Sequence, residues 1–303
     1  MGRHFHFQPT ETSHQIIHDL RSPRTAAAAL VGALLAVSGA IMQGMTRNPL
    51  AEPSIMGVTS GSAFAISIAF AFFPDFRLWG LCYGPLSERG WGINGNGHRH
   101  VFKGGLTPVK LALAGTAVTY FFTGISTAIA IRFDVAQDIS FWYAGGVAGV
   151  KWSGVQLLLI AGAVGLTLAF IIARSVTVLS LGDDLAKGLG QYTSAVKLVG
   201  MLVVVILTGA AVSIAGTIAF IGLIIPHITR FLVGVDYRWI IPCSAVLGAV
   251  LLVFADIAAR LVNAPFETPV GALTSLIGVP FSFIWHVVKG EGCNENKTKN
   301  RSL

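Results

Sequence analysis

Six stretches of this chain are free of Asp, Glu, Lys and Arg, and short polar segments separate them: Thr25 to Thr46, Pro53 to Pro74, Leu111 to Ile131, Trp152 to Ala173, Leu198 to Thr229 and Trp239 to Ala255. A helix needs about 20 such residues to cross the hydrocarbon of a bilayer, so most of these runs are predicted to span. The fold class that follows is all-α, a polytopic transmembrane helical bundle. Several runs are interrupted by polar or helix-breaking residues, at Arg47-Asn48-Pro49, Glu52-Pro53, Pro226-His227 and Glu267 to Pro269. Broken backbone at membrane depth persists only where it is packed in protein or lines a wet cavity, so the breaks point to a pathway or an interface.

Composition sharpens this picture. With 53% hydrophobic residues, 12% charged residues and a mean hydropathy of +0.71, the chain is too apolar for a soluble domain. The 35 glycines include small-xxx-small pairs such as Gly57/Gly61 and Gly145/Gly149, which suit close helix packing in lipid. The net charge of +7 does not indicate nucleic acid, because the basic residues are scattered at the ends of apolar runs, where they orient spans. Cys82, Cys243 and Cys293 have neither metal-ligand spacing nor a paired framework. Met1 to Asp19 is polar and His-rich, with no signal-peptide pattern, and residues 1–24 are expected to form a polar segment before the first span.

Between Arg174 and Lys197 lies a polar stretch with helix-start chemistry at Asp183 or Asp184 and a glycine stop at Gly188 or Gly190. Flanking basic residues place it in the cytoplasm as short helices outside the bilayer. No GxxxxGK[ST], HExxH or GxSxG pattern occurs, so neither nucleotide cradling of that kind nor an intramembrane enzyme is indicated, and no cofactor or metal site is expected. Pro226-His227 has no second ligand nearby in sequence and reads as structural.

Four segments carry a family resemblance: Leu20 to Arg24; Ser38 to Gly61, reading SGAIMQGMTRNPLAEPSIMGVTSG; Leu179 to Gly190; and Ala215 to Arg230, reading AGTIAFIGLIIPHITR and running on through Pro280. In these segments the chain closely resembles the FecCD permeases, which serve bacterial ABC importers of iron-siderophores, haem and cobalamin. The resemblance implies a type II importer permease in the bacterial cytoplasmic membrane. Its implied partners are separate ATP-binding cassette ATPase subunits, an extracytoplasmic substrate-binding lipoprotein, membrane lipid and a second permease, identical or paralogous. It further implies that Ser180 to Gln191 docks into the ATPase, with Leu181, Gly182, Asp183, Asp184, Ala186, Leu189 and Gly190 as the coupling residues. Arg21, Arg24 and Arg260 match arginines that dock the binding protein, whose carboxylates suit the planar guanidinium fork. Asp256, four residues before Arg260, is expected to pair with it along a helix.

With Ser180 to Gln191 inside, Trp152 to Ala173 runs inward, Leu198 to about Ser213 outward, Ile218 to Leu232 back, Trp239 to about Arg260 outward and about Pro269 to Val288 back, and residues 289–303 form a basic cytoplasmic tail after a permease domain of residues 25–288. Counting backwards makes Pro53 to Pro74 and Leu111 to Ile131 both run outward. Residues 75–105 between them are charged and glycine-rich, a poor membrane helix, and the family's first span has no counterpart. The expectation is about eight recognisable spans of the family's ten, from a truncated or locally frame-shifted permease. The favoured cargo is a ferric siderophore of hydroxamate type, with haem or cobalamin as the alternative. An ion-coupled secondary transporter is the alternative of another class.

Overall fold

The computed structural model describes residues 15–53, 58–72, 108–263, 266–281 and 283, and every regular element among them is helical. A π-type turn, Ile16–Arg21, leads into α1 (Ser22–Thr46). There follow α2 (Val58–Phe72), α3 (Pro108–Arg132), α4 (Ala136–Ala144), α5 (Trp152–Ser180), α6 (Asp183–Gly188), α7 (Thr193–Ala215), α8 (Ile221–Val233) and α9 (Tyr237–Val262). Helix α10 covers Val270–Phe281. Among the described residues, four helical segments are long and apolar enough to cross a membrane: Ile16–Thr46, Trp152–Ser180, Thr193–Ala215 and Tyr237–Val262.

Helix α1 is the hub of the bundle, packing on α5, α7, α8 and α9. Its sequence allows this because it is built from small residues that let neighbouring backbones approach. Gly32 faces Gly248 of α9 so closely that a Cβ on either would overlap the backbone carbonyl of the other. A Cβ on Gly39 would likewise overlap the backbone carbonyl of Gly222 of α8. Around these contacts Val31, Leu34, Ile41, Leu158, Leu207, Ile240 and Leu252 are fully buried. The outer faces expose large apolar side chains, such as Tyr120, Ile171, Phe231 and Phe254, which suit contact with lipid rather than water.

Helix directions follow from contacts at the two ends of the bundle. At one end Arg24 of α1 meets Asp256 of α9, and the Trp152 indole N–H donates to the His18 carbonyl at 3.0 Å. At the other, Gly200 of α7 lies against Met45 of α1, and the Thr177 hydroxyl of α5 donates to Asp236 at 3.2 Å. Helices α1 and α5 therefore run one way, and α7 and α9 the other.

Helices α2 and α3 are parallel neighbours. The Ser60 hydroxyl approaches that of Thr119 at 3.4 Å, Phe64 stacks on Phe122 with ring centroids 5.1 Å apart, and Phe72 meets Phe133 at 4.7 Å. Three contacts in matching order place Phe72 and Pro108 at opposite ends of the pair. Residues 75–105, expected to be atypical, lie outside the described residues.

Two sequence expectations change here. The run Leu198 to Thr229 is not interrupted at Pro226-His227: α8 continues through Pro226, and the break falls at residues 216–220, between α7 and α8. Proline removes the N–H that would bond the carbonyl four residues back, here that of Gly222. Gln43 of α1 supplies the replacement, its Nε2 donating to the Gly222 and Leu223 carbonyls at 3.2 Å each. The Arg230 guanidinium then donates to the Gln43 Oε1. The second change concerns Gly145 and Gly149, which do not pack helices but lie in the turn after α4 with φ of 65° and 73°. Gly57 lies outside the described residues.

Candidate functional site

At the end holding Met45 and Asp236, α6 stands off the bundle as a short lever. Gly182, with φ of 134°, starts it, and Gly190, with φ of 78°, ends it, both in backbone regions that L side chains rarely enter. The stop is a Schellman motif: the Gln191 N–H donates to the Ala186 carbonyl at 2.9 Å, and the Gly190 N–H to the Lys187 carbonyl at 2.9 Å. Ala186 is the buried contact that seats the helix on the bundle.

Two side chains fix α6 to the spans that flank it. Lys197 of α7 pairs with Asp183 at 2.5 Å, and the Gln191 Nε2 donates to the Ser175 carbonyl of α5 at 2.9 Å. The opposite face carries Leu181, Leu185, Leu189 and Tyr192, exposed at 61%, 62%, 71% and 85%. Leu185 lies on the helix and the other three at its two ends, with Asp184 and Lys187 exposed near them. Of the residues expected here, Leu181, Asp184, Leu189 and Gly190 are exposed, Asp183 is half-buried in its ion pair, and Gly182 and Ala186 are buried. Leu185, Tyr192 and Lys197 were not among them, although the spacing of four from Leu181 already marks Leu185.

Beside this lever, Asp236 caps α9. Its carboxylate accepts from the Arg238 amide at 3.0 Å and pairs with the Arg238 guanidinium at 2.8 Å. These Arg238 hydrogen bonds, with a smaller one from Thr177, hold the carboxyl below the usual carboxylate range. The cap is therefore ionised at neutral pH, and its contribution to stability is lost as pH falls through that lowered value.

The opposite end carries a cluster of charges. Asp256, 1% exposed, accepts from Arg24 through Nε at 3.0 Å and Nη2 at 2.9 Å, and from Arg260 through Nε at 3.1 Å. The expected pairing along α9 is present, and Arg24 joins it from across the bundle. Arg24 also pairs with Glu267 through Nη1 at 2.6 Å. The three arginines expected to act together thus differ: Arg21 is exposed, the Arg260 side chain is 31% exposed, and that of Arg24 is 11% exposed and held by two carboxylates.

Between the two ends, where α8 begins beside the middle of α1, lies a cavity of about 100 Å³ lined by Leu35, Glu52, Thr59, Thr208, Thr217 and Gly222 among others. Glu52 accepts from the Phe220 N–H at 3.1 Å, so its carboxylate caps the start of α8. Among the described residues no group of three or more His, Cys, Asp or Glu could hold a metal ion. The chemistry available is that of docking, packing and passage.

Comparison with known proteins agrees with a permease architecture. The chain is 89% identical over 280 residues to the iron(3+)-hydroxamate import system permease protein FhuB of Bacillus subtilis, covering 92% of this chain and 73% of that protein. It is 44% identical over 292 residues to the iron-uptake system permease protein FeuB of the same organism, covering 96% of this chain and 87% of that one. A solved structure, described as a metal-chelate type ABC transporter in an inward-facing conformation, superposes with a TM-score of 0.82 at 31% identity, covering 91% of this chain and 88% of that one. The family model described as the FecCD transport family matches residues 1–289. With apolar helices of membrane length, a matching solved fold and a family match over nearly all its residues, the chain belongs to the FecCD transport family.

Proposed function

We propose that this chain is the transmembrane permease subunit of an ABC importer that carries ferric hydroxamate siderophores across the bacterial cytoplasmic membrane. The observation that carries the reading is the 89% identity, over 92% of the chain, to an iron(3+)-hydroxamate import permease. Hydrolysis of ATP belongs to a separate subunit, which docks on α6, and a substrate-binding protein docks at the end that holds Arg21 and Arg260.

The geometry gives this division of labour a mechanism. An ATPase cleft that grips the exposed Leu181, Leu185 and Leu189 would move α6 as a rigid piece, because glycine turns define both its ends. Displacement would pass to α7 through Lys197–Asp183 and to α5 through Gln191–Ser175. A second permease copy would cover part of the apolar outer surface, with the chelate passing between the two. A bulky chelate is selected chiefly by the binding protein, so the permease offers a wide path of weak contacts.

Replacing both Leu185 and Leu189 with Asp tests the ATPase face. Both side chains are exposed, so membrane insertion should persist while co-purification of the ATPase subunit falls at least about ten-fold, the scale of a lost apolar hot spot. Unchanged co-purification would reject α6 as the docking element.

A further inference from the structure

The Arg24 guanidinium is shared between two carboxylates of opposite character. Its Nε and Nη2 edge rests on Asp256, which is 1% exposed and also holds Arg260. That contact is permanent, because removing Asp256 would leave two guanidinium groups facing each other at a buried site. Its Nη1 corner is held by Glu267, which is 53% exposed. An ion pair with one partner this wet contributes little and exchanges readily.

We propose that Glu267 is an internal stand-in, occupying the corner of Arg24 that an acidic side chain of the docking protein takes over when it binds. The inference rests on the reading that this end receives the substrate-binding protein. Arg24 and Arg260 share Asp256, and Glu267 neutralises the remaining corner of Arg24, so the positive charge of the cluster rises when Glu267 lets go. A partner carboxylate entering this face meets a fixed fork whose other edge is already oriented by Asp256, so little ordering is required of Arg24.

Glu267 sits in the turn joining α9 to α10, where the Phe266 N–H donates to the Asn263 carbonyl at 2.8 Å. Three residues after it, α10 begins at the buried Val270, and a Cβ on Gly271 would come within 2.9 Å of the Thr217 carbonyl and 3.0 Å of that of Ala144. The start of α10 is thus wedged against the turns that follow α7 and α4. Glu267 therefore lies three residues from the packing of three helices, while the turn itself is held by backbone hydrogen bonds that its release leaves in place.

The test is the affinity of the substrate-binding protein for the assembled permease and ATPase complex in lipid nanodiscs, for wild type, Glu267→Gln and Arg21→Glu, at low and high salt. Removing the stand-in charge should tighten binding by about two- to five-fold at low salt, the scale of an exposed ion pair, and the gain should fade at high salt. Arg21→Glu, outside the ion cluster, should weaken binding. If Arg21→Glu weakens binding while Glu267→Gln leaves it unchanged or weaker, or tightens it equally at all salt concentrations, the stand-in is wrong and the docking face stands. If neither variant changes affinity, the docking face itself is wrong, and the proposal falls with it.

Discussion

Pro226 withdraws a donor from α8, and Gln43, on a different helix, returns two. Substituting Gln43 with Leu would strand the Gly222 carbonyl in a dry bundle, a penalty of about 1–3 kcal/mol, and deprive Arg230 of its acceptor. Pro226→Ala restores the N–H within α8, so the Gln43→Leu penalty should be smaller in that background. Thermal unfolding of the four proteins in detergent measures the coupling, and additive penalties would contradict it. Sequence reading marked Pro226 as an interruption because the compensating side chain lies 179 positions away from the carbonyl it serves. The same distance effect separates the two halves of the Asp256 cluster. The contact with Arg260, four residues along one helix, was legible; that with Arg24, 232 positions away, was not. Asp256→Ala is expected to destabilise the protein by about 3–5 kcal/mol by taking from Arg24 and Arg260 the buried carboxylate they share, a loss that the same unfolding assay would detect.

At the scale of elements, α6 was the most legible part of the molecule. Asp183 and Asp184 at its start and glycine at its end are local signals, and the helix occupies Asp183–Gly188. What local signals could not disclose is its attachment, since Lys197 belongs to the following span. Docking and transmission are separable in this arrangement. Lys197→Met should leave the ATPase bound through the exposed leucines while lowering chelate transported per ATP hydrolysed in proteoliposomes several-fold. Gly190→Val, which forces a branched side chain into a left-handed turn, should act in the same direction. Wild-type stoichiometry in both variants would exclude a rigid lever. The break between α7 and α8 was legible only from the count of crossings, which turns the chain back between about Ser213 and Ile218: Gly216 to Phe220 contains no charge or proline to mark it, and the helices stop at Ala215 and resume at Ile221.

The described residues form a bundle organised around one helix of small residues, with ion pairs at its two ends and a small polar cavity holding Glu52 between them. The apolar runs announced membrane helices directly, because a lipid-facing helix needs no alternation of polar and apolar positions. Direction was recoverable as well: placing α6 inside requires α2 and α3 to run the same way, and their contacts from Ser60–Thr119 to Phe72–Phe133 have that order. The pairing of distant charges was not recoverable, since it depends on which helices become neighbours. The central claim is transport of a ferric hydroxamate, and its most direct test is uptake of radio-iron-labelled ferric hydroxamate by a strain lacking its own hydroxamate permease. The strain would express this chain with its ATPase and binding protein, and labelled haem and cobalamin would be run in parallel. Saturable, ATP-dependent uptake of the hydroxamate alone is the predicted result; uptake of haem or cobalamin in its place, or of none of the three, would contradict the account.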